Sequence, residues 1–167
     1  MVSTNDELKK TWYLEMLNPS ELKSVNLPID AQILKQEIPS PDLNSFFYSE
    51  VGRLWNWCDR NTWNKQDWNK WVNREELKTW VLNVRSTPAG YFELNQQGND
   101  VEIAHFGLLP IFIGKGLGGG LLSFAIEKAW DLKIKRIWVH TCNHDHPNAL
   151  NNYKARGFKV FREILQK

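Results

Sequence analysis

Cysteine is scarce: Cys58 and Cys142 are the only two in 167 residues, and they lie far apart. That excludes a disulfide framework. No apolar run approaches the length of a membrane span, so no membrane partner is expected. The N-terminal stretch MVSTNDELKK has no apolar signal region, so a reducing cytoplasm is the expected location. Charge of one sign is also lacking. The net charge is +2, which gives no sign of nucleic-acid binding. No G-x-S-x-G elbow is present to support acyl transfer through a serine. His140, His144, Asp145 and His146 cluster in sequence, but they straddle a strand end and a loop. No metal site is expected there.

Glycine and tryptophan are abundant in one place each. Five of the ten glycines fall at 114, 116, 118, 119 and 120, and five of the nine tryptophans fall between 55 and 71. The glycines follow an apolar, β-prone stretch, Val101–Leu109, which Pro110 ends. After them Leu117, Leu121, Ala125 and Ala129 recur every four residues, so the segment reads strand, turn, amphipathic helix. Glycines allow positive φ and close backbone approach. The first helical turn has unpartnered N–H groups and the positive dipole end. Lys115 adds a cation. An anion such as a phosphate is the natural guest; a merely flexible turn is the alternative. The turn is not a P-loop, because Lys115 precedes Gly116 and not Ser or Thr. Gly114-x-Gly116-x-x-Gly119 matches the dinucleotide fingerprint. The carboxylate expected about twenty residues on is absent, since the next strand ends His140-Thr141-Cys142.

Basic charge gathers with this turn. Residues 1–80 hold ten Lys/Arg and twelve Asp/Glu, and residues 81–167 hold eleven and seven. The length suits one domain.

Phe106-Gly107-Leu108-Leu109-Pro110 followed by Gly114-Lys115-Gly116-Leu117-Gly118 resembles the central motif of the GCN5-related N-acetyltransferases. Ala149-Leu150-Asn151-Asn152-Tyr153-Lys154-Ala155-Arg156-Gly157-Phe158 resembles their later A-x-x-x-Y-x-x-x-G-F element. The resemblance covers Val101 to about Arg162. It implies an α/β fold with a mixed, mostly antiparallel sheet flanked by helices, and one parallel strand pair splayed around the cofactor. It implies residues 1–80 as the acceptor side and 81–167 as the acetyl-CoA side. It further implies that CoA contacts come from Phe106, Gly107, Leu108, Ile113, Gly114, Lys115, Gly116, Leu117, Gly118 and Gly119, and from His146, Asn148, Ala149 and Tyr153. The sequence departs from the family in three places. Ile113 stands where the family has Arg or Gln, and His146 where it often has Asn. The family's last strand is missing, which predicts an edge open to pairing with a second copy.

Along the chain, Thr11–Leu17 predicts an edge strand and Ala31–Ile38 a short strand. Asp42 is placed as the cap of a helix to about Leu54, and Thr62 as the cap of one to about Val72. Lys78–Arg85 and Gly90–Leu94 read as strands joined at Pro88-Ala89-Gly90, and Asn95–Asn99 as a hairpin turn into the Val101 strand. Arg136–Cys142 should run parallel to the Val101 strand. Pro147 should open a helix that Gly157 ends, before a last strand Phe158–Leu165.

Acetyl transfer to an amine needs a base, a donor to the carbonyl oxygen and an acid for the thiolate. The resemblance makes Glu102 the candidate base, with Glu93 its rival. In an ideal strand Glu102 shares a face with Ala104, Phe106 and Leu108, and His105 points away. The Leu108 N–H is the implied carbonyl donor and Tyr153 the implied acid. Trp55, Trp57, Trp63 and Trp68 either pack the core or wall an acceptor site for a cationic or aromatic amine, with Asp59 or Asp67 at its rim. The expected acceptor is a small-molecule amine or a peptide N-terminus. A non-catalytic CoA-binding or ligand-sensing module is the alternative.

Overall fold

The computed structural model describes residues 8–167. Seven strands form one sheet: β1 (Lys9–Met16), β2 (Ala31–Lys35), β3 (Leu77–Val84), β4 (Thr87–Gln97), β5 (Asp100–Leu108), β6 (Arg136–Cys142) and β7 (Lys159–Gln166). Their order across the sheet is β2-β3-β4-β5-β6-β1-β7. The β5–β6 pair is parallel and the other described pairs are antiparallel. The helices are α1 (Pro41–Gly52), α2 (Lys65–Val72), α3 (Gly118–Trp130) and α4 (Ala149–Arg156). No described helix is long and apolar enough to cross a membrane.

Two layers cover the sheet. On one side α3 buries Leu121, Leu122, Ala125 and Ile126 against Leu14, Phe92, Leu94, Ile103 and Ile137. Each large aliphatic side chain there contributes about 1.5–3 kcal/mol. On the other side α1 packs Phe47 and Val51 against Val81 and Tyr91, while Tyr48 meets Trp68, Val72 and Leu77.

Several local expectations change. The strand at Thr11–Leu17 is interior, because β1 pairs with β6 on one edge and β7 on the other. Leu14 and Met16 are accordingly sealed. Ser40, not Asp42, caps α1, and the helix stops at Gly52. There the Trp57 side chain crosses so closely that a Cβ on residue 52 would lie 2.5 Å from Trp57 Cβ. Asn64, not Thr62, caps α2 in a reciprocal box with Asp67. The β3–β4 hairpin turns at Arg85 and Ser86, both at positive φ, as a two-residue hairpin requires. Pro88 lies inside β4.

One irregularity sets the site. Glu93 faces His105, but its neighbour Leu94 faces Ile103. Ala104 is therefore the extra residue of a β-bulge. Beyond the bulge alternation is reset, so His105 and Gly107 rejoin the face of Glu102, while Phe106 and Leu108 pack with the α3 side. The ideal-strand expectation for these residues is corrected by that single inserted residue.

Candidate active site

β5 and β6 pair only at Asp100–Arg136, Val101–Ile137 and Glu102–Trp138. Past Glu102 the two strands separate, and a cleft of about 990 Å³ opens between them. Its β5 wall runs from Glu102 to Leu108, and its β6 wall includes Val139, His140 and Cys142. Leu109 N–H donates to Ala89 O of β4 at 2.8 Å. N–H direction alternates along a strand, so Leu108 N–H points the other way, into the opening.

The glycine turn closes one end. Gly114 and Gly116 have φ of +77° and +74°, and a Cβ at either would meet nothing within 4 Å. Side chains are thus avoided for conformation and open approach, not for packing. Gly120 differs, since a Cβ there would lie 2.8 Å from Leu27. Leu117 occupies the N-cap of α3 and offers no side-chain acceptor. The first-turn N–H groups are left facing the cleft beside Gly118 and Gly119, which line it. Unpartnered N–H groups of this kind are what an anion can satisfy. Ile113, Gly114, Gly116 and Leu117 also line the cleft, whereas Lys115 is exposed and is not part of its wall.

α4 forms the next wall. Asn152 Nδ2 donates to Gly118 O at 3.1 Å, tying α4 to the start of α3. Gly157 ends α4 at φ 113°. Tyr153 lies over the cleft, with its ring 6.2 Å from Phe106 and 6.0 Å from Phe158. Among the described residues its hydroxyl has no hydrogen-bond partner. Burial, then the charge of Asp145, pushes its phenol well above the usual tyrosine range. The group therefore stays protonated at neutral pH. His146, Asn148 and Ala149 line the same cleft.

The opposite side is built from the tryptophan segment. Trp55, Trp57 and Trp63 line the cleft, joined by Trp71. Trp68 is buried and does not. The rings have a cation already. The Arg60 guanidinium centre lies 4.6 Å from the Trp63 ring, 4.5 Å from Trp71 and 5.4 Å from Trp68. Its two terminal nitrogens donate to the two Glu93 oxygens at 3.1 and 3.0 Å. Trp71 Nε1 and Asn44 Nδ2 donate to the same carboxylate at 3.0 and 2.9 Å. Glu93 is wholly buried and lies outside the cleft wall. Burial would raise its pKa, but His105 and Arg60 outweigh burial and hold it well below the usual carboxylate range. A carboxylate so engaged is a poor proton acceptor. Glu93 is a structural anion, and the rival assignment as base is corrected on that ground.

His105 sits between Glu93 and Asp59, at 3.8 and 3.6 Å, and packs against Tyr48 and Trp57. Burial opposes its charge, but the two carboxylates prevail and raise its pKa. Asp59 is 64% exposed at the rim and accepts from Tyr48 Oη at 3.0 Å. Asp67 is spent on its capping box. Glu102 lies where the strands part, accepting from Gln97 Nε2 at 3.2 Å and Asn95 Nδ2 at 3.4 Å. It lines the cleft. Trp57 Nε1 donates to Asp145 Oδ1 at 3.1 Å, and Trp55 packs edge-on to His146. The tryptophan segment thus bridges to the loop before α4. Asp145 in turn receives Thr141 Oγ1 and Cys142 N–H. Its partners are protein groups, and among the described residues no three His, Cys, Asp or Glu side chains converge as metal ligands.

The family model for the acetyltransferase (GNAT) family matches residues 42–158. The chain belongs to that family. Solved GNAT structures share its fold at low identity. A GCN5-related N-acetyltransferase from Sphaerobacter thermophilus superposes with a TM-score of 0.74 at 11% identity, over 95% of this chain and 50% of that one. One from Kribbella flavida gives 0.68 at 13%, over 93% and 56%. An aminoglycoside acetyltransferase from an uncultured soil metagenomic sample gives 0.59 at 13%, over 76% and 87%. The chain thus spans about half the length of the first two GNAT structures. No curated protein matches its sequence. Sequence reasoning on the GNAT motifs missed Arg60, His105 and Asp145 as site-building residues. The signal for Arg60 was present: a lone arginine flanked by five tryptophans.

Proposed function

We propose that this GNAT domain moves an acetyl group from acetyl-CoA to a primary amine of a small molecule or a peptide N-terminus. The observation that carries the reading is the gap between β5 and β6. It opens beyond Glu102, faces an uncapped helix N-terminus, and is overhung by the Tyr153 hydroxyl. Acetyl-CoA supplies an acetyl group activated as a thioester. The residues present fit it. The open turn at Gly114 and Gly116 and the α3 first turn suit its pyrophosphate. Phe106, Leu108 and Ala149 offer apolar wall for its arm.

The chain's own groups do the rest. Leu108 N–H is placed to donate to a carbonyl oxygen in the opening. Tyr153, kept protonated by burial, supplies a proton to a departing thiolate. Glu102 takes the proton of the ammonium. Glu102 and Leu108 are six residues apart, about 20 Å of strand at 3.3 Å per residue, so water carries that proton. Asp59, exposed beside Trp57 and Trp63, holds the cationic acceptor at the rim. Trp63, Trp68 and Trp71 hold Arg60, so the faces left for a cationic acceptor are those of Trp55 and Trp57, which line the cleft without touching that guanidinium. The aminoglycoside enzyme among the neighbours makes polyamino sugars the first class to try.

The test is free-thiol release from acetyl-CoA with a panel of amino sugars, polyamines, arylalkylamines and short peptides. Turnover with any amine, lost in Tyr153→Phe, supports the reading. Acetyl-CoA binding without turnover across the panel would overturn it in favour of a binding module.

A further inference from the structure

The family's phosphate turn carries an Arg or Gln where this chain has Ile113, a side chain with nothing to donate. A cation stands nearby on another element. Arg156 lies in the last turn of α4 and lines the cleft. Its guanidinium lies against the first turn of α3: a Cβ on Gly119 would run into Nη1 and come 3.6 Å from Cζ. The same Cβ would lie 2.8 Å from Val25 Cγ2, so glycine here leaves room for both Val25 and the guanidinium. Among the described residues Arg156 makes no side-chain hydrogen bond or ion pair, and its Nε is buried without a partner. The end of α4 is a favourable place for a basic residue. The guanidinium nevertheless reaches to the N-terminus of α3, where the dipole has the wrong sign for a cation. A helix N-terminus and a guanidinium that has no protein partner and lines the cleft have a common solution at one spot, an anion bound between them.

We propose that Arg156, from α4, supplies the side-chain contact to the CoA pyrophosphate that Ile113 cannot make. This rests on the reading that the cleft takes CoA, and it assigns the contact to a residue outside the glycine turn. It also gives α4 two duties, Tyr153 at the thiol end and Arg156 at the phosphate end. They stand at i and i+3 on α4, so they project from one face of it.

Calorimetric binding of CoA, 3′-dephospho-CoA and pantetheine to the full chain tests this. Arg156→Gln should weaken CoA and dephospho-CoA alike by tenfold or more and leave pantetheine within twofold. Adding Ile113→Arg to that variant should recover at least threefold in CoA affinity. The melting temperature without CoA should not fall, because the guanidinium has no protein partner to lose. The stabilisation by CoA should shrink. Arg156→Gln binding CoA within twofold of wild type overturns the proposal. A loss confined to CoA and absent with dephospho-CoA also overturns it, because the contact is then with the 3′-phosphate. A lower melting temperature with weakened pantetheine binding would make Arg156 structural. Wild-type chain that fails to bind CoA at all would instead refute the underlying CoA reading, whatever Arg156 does.

Discussion

Replacing Arg60 by methionine leaves Glu93 fully buried without its bidentate partner. The two side chains are 4% and 0% exposed, so solvent gives little relief. Breaking such a pair costs about 3–5 kcal/mol, since one charge remains uncompensated. His105, 3.8 Å away, and the donors Trp71 and Asn44 remain, which favours the low end. Methionine keeps most of the volume inside the tryptophan rings but loses the cation–π contacts. At 2–4 °C per kcal/mol for a chain of this size, the melting temperature should fall by about 6–20 °C. The loss should depend on pH, with a definite sign. In the wild type the native pKa of Glu93 lies below its ordinary 4.5. Its contribution is whole above pH 4.5 and fades only as pH falls through the native value. In Arg60→Met the guanidinium no longer opposes burial, so that pKa should rise, and it passes 4.5 where burial exceeds what His105, Trp71 and Asn44 still hold down. The buried carboxylate then destabilises increasingly as pH rises from about 4.5 to the raised value. The deficit should thus be smaller at pH 5 than at pH 7. Urea unfolding at both values, at one ionic strength, measures it. Adding Glu93→Gln should recover most of the loss. A deficit below about 1 kcal/mol at pH 7, or one equal at both pH values, would refute the reasoning.

Three further outcomes are expected. Tyr153→Phe should lower kcat by roughly a hundredfold or more with acetyl-CoA affinity near wild type; full kcat would return the residue to packing against Phe106 and Phe158. Glu102→Gln should lower kcat/KM near neutral pH and flatten its acidic limb, and an unchanged pH profile would mean that the acceptor arrives deprotonated and the protein mainly orients it. Gly157→Ala should cost about 1–3 kcal/mol, because residue 157 sits at φ +113° and a Cβ would strike Glu21 O; equal stability in urea would show that the α4–β7 turn can relax.

Local chemistry made much of the molecule legible from sequence alone. The period-four stripe from Leu117 pointed to α3, the apolar, β-prone run Val101–Leu109 ended by Pro110 pointed to β5, and Gly157 marked the end of α4. The glycine turn was legible as positive-φ backbone before an uncapped helix start, because positive φ and free N–H groups are properties of a few consecutive residues. Three matters needed the tertiary structure. The place of β1 between β6 and β7 follows from long-range pairing, which no local pattern encodes. The bulge at Ala104 adds one residue to a period of two, and that moved His105 onto the face of Glu102 without altering the hydrophobic pattern. The tryptophans read equally as core or as acceptor wall. Only the fold showed that Trp63, Trp68 and Trp71 enclose Arg60 while Trp55 and Trp57 reach the loop before α4, because a cation–π contact depends on where a guanidinium ends up in space. That placement is fixed by Glu93 on β4, thirty-three residues away.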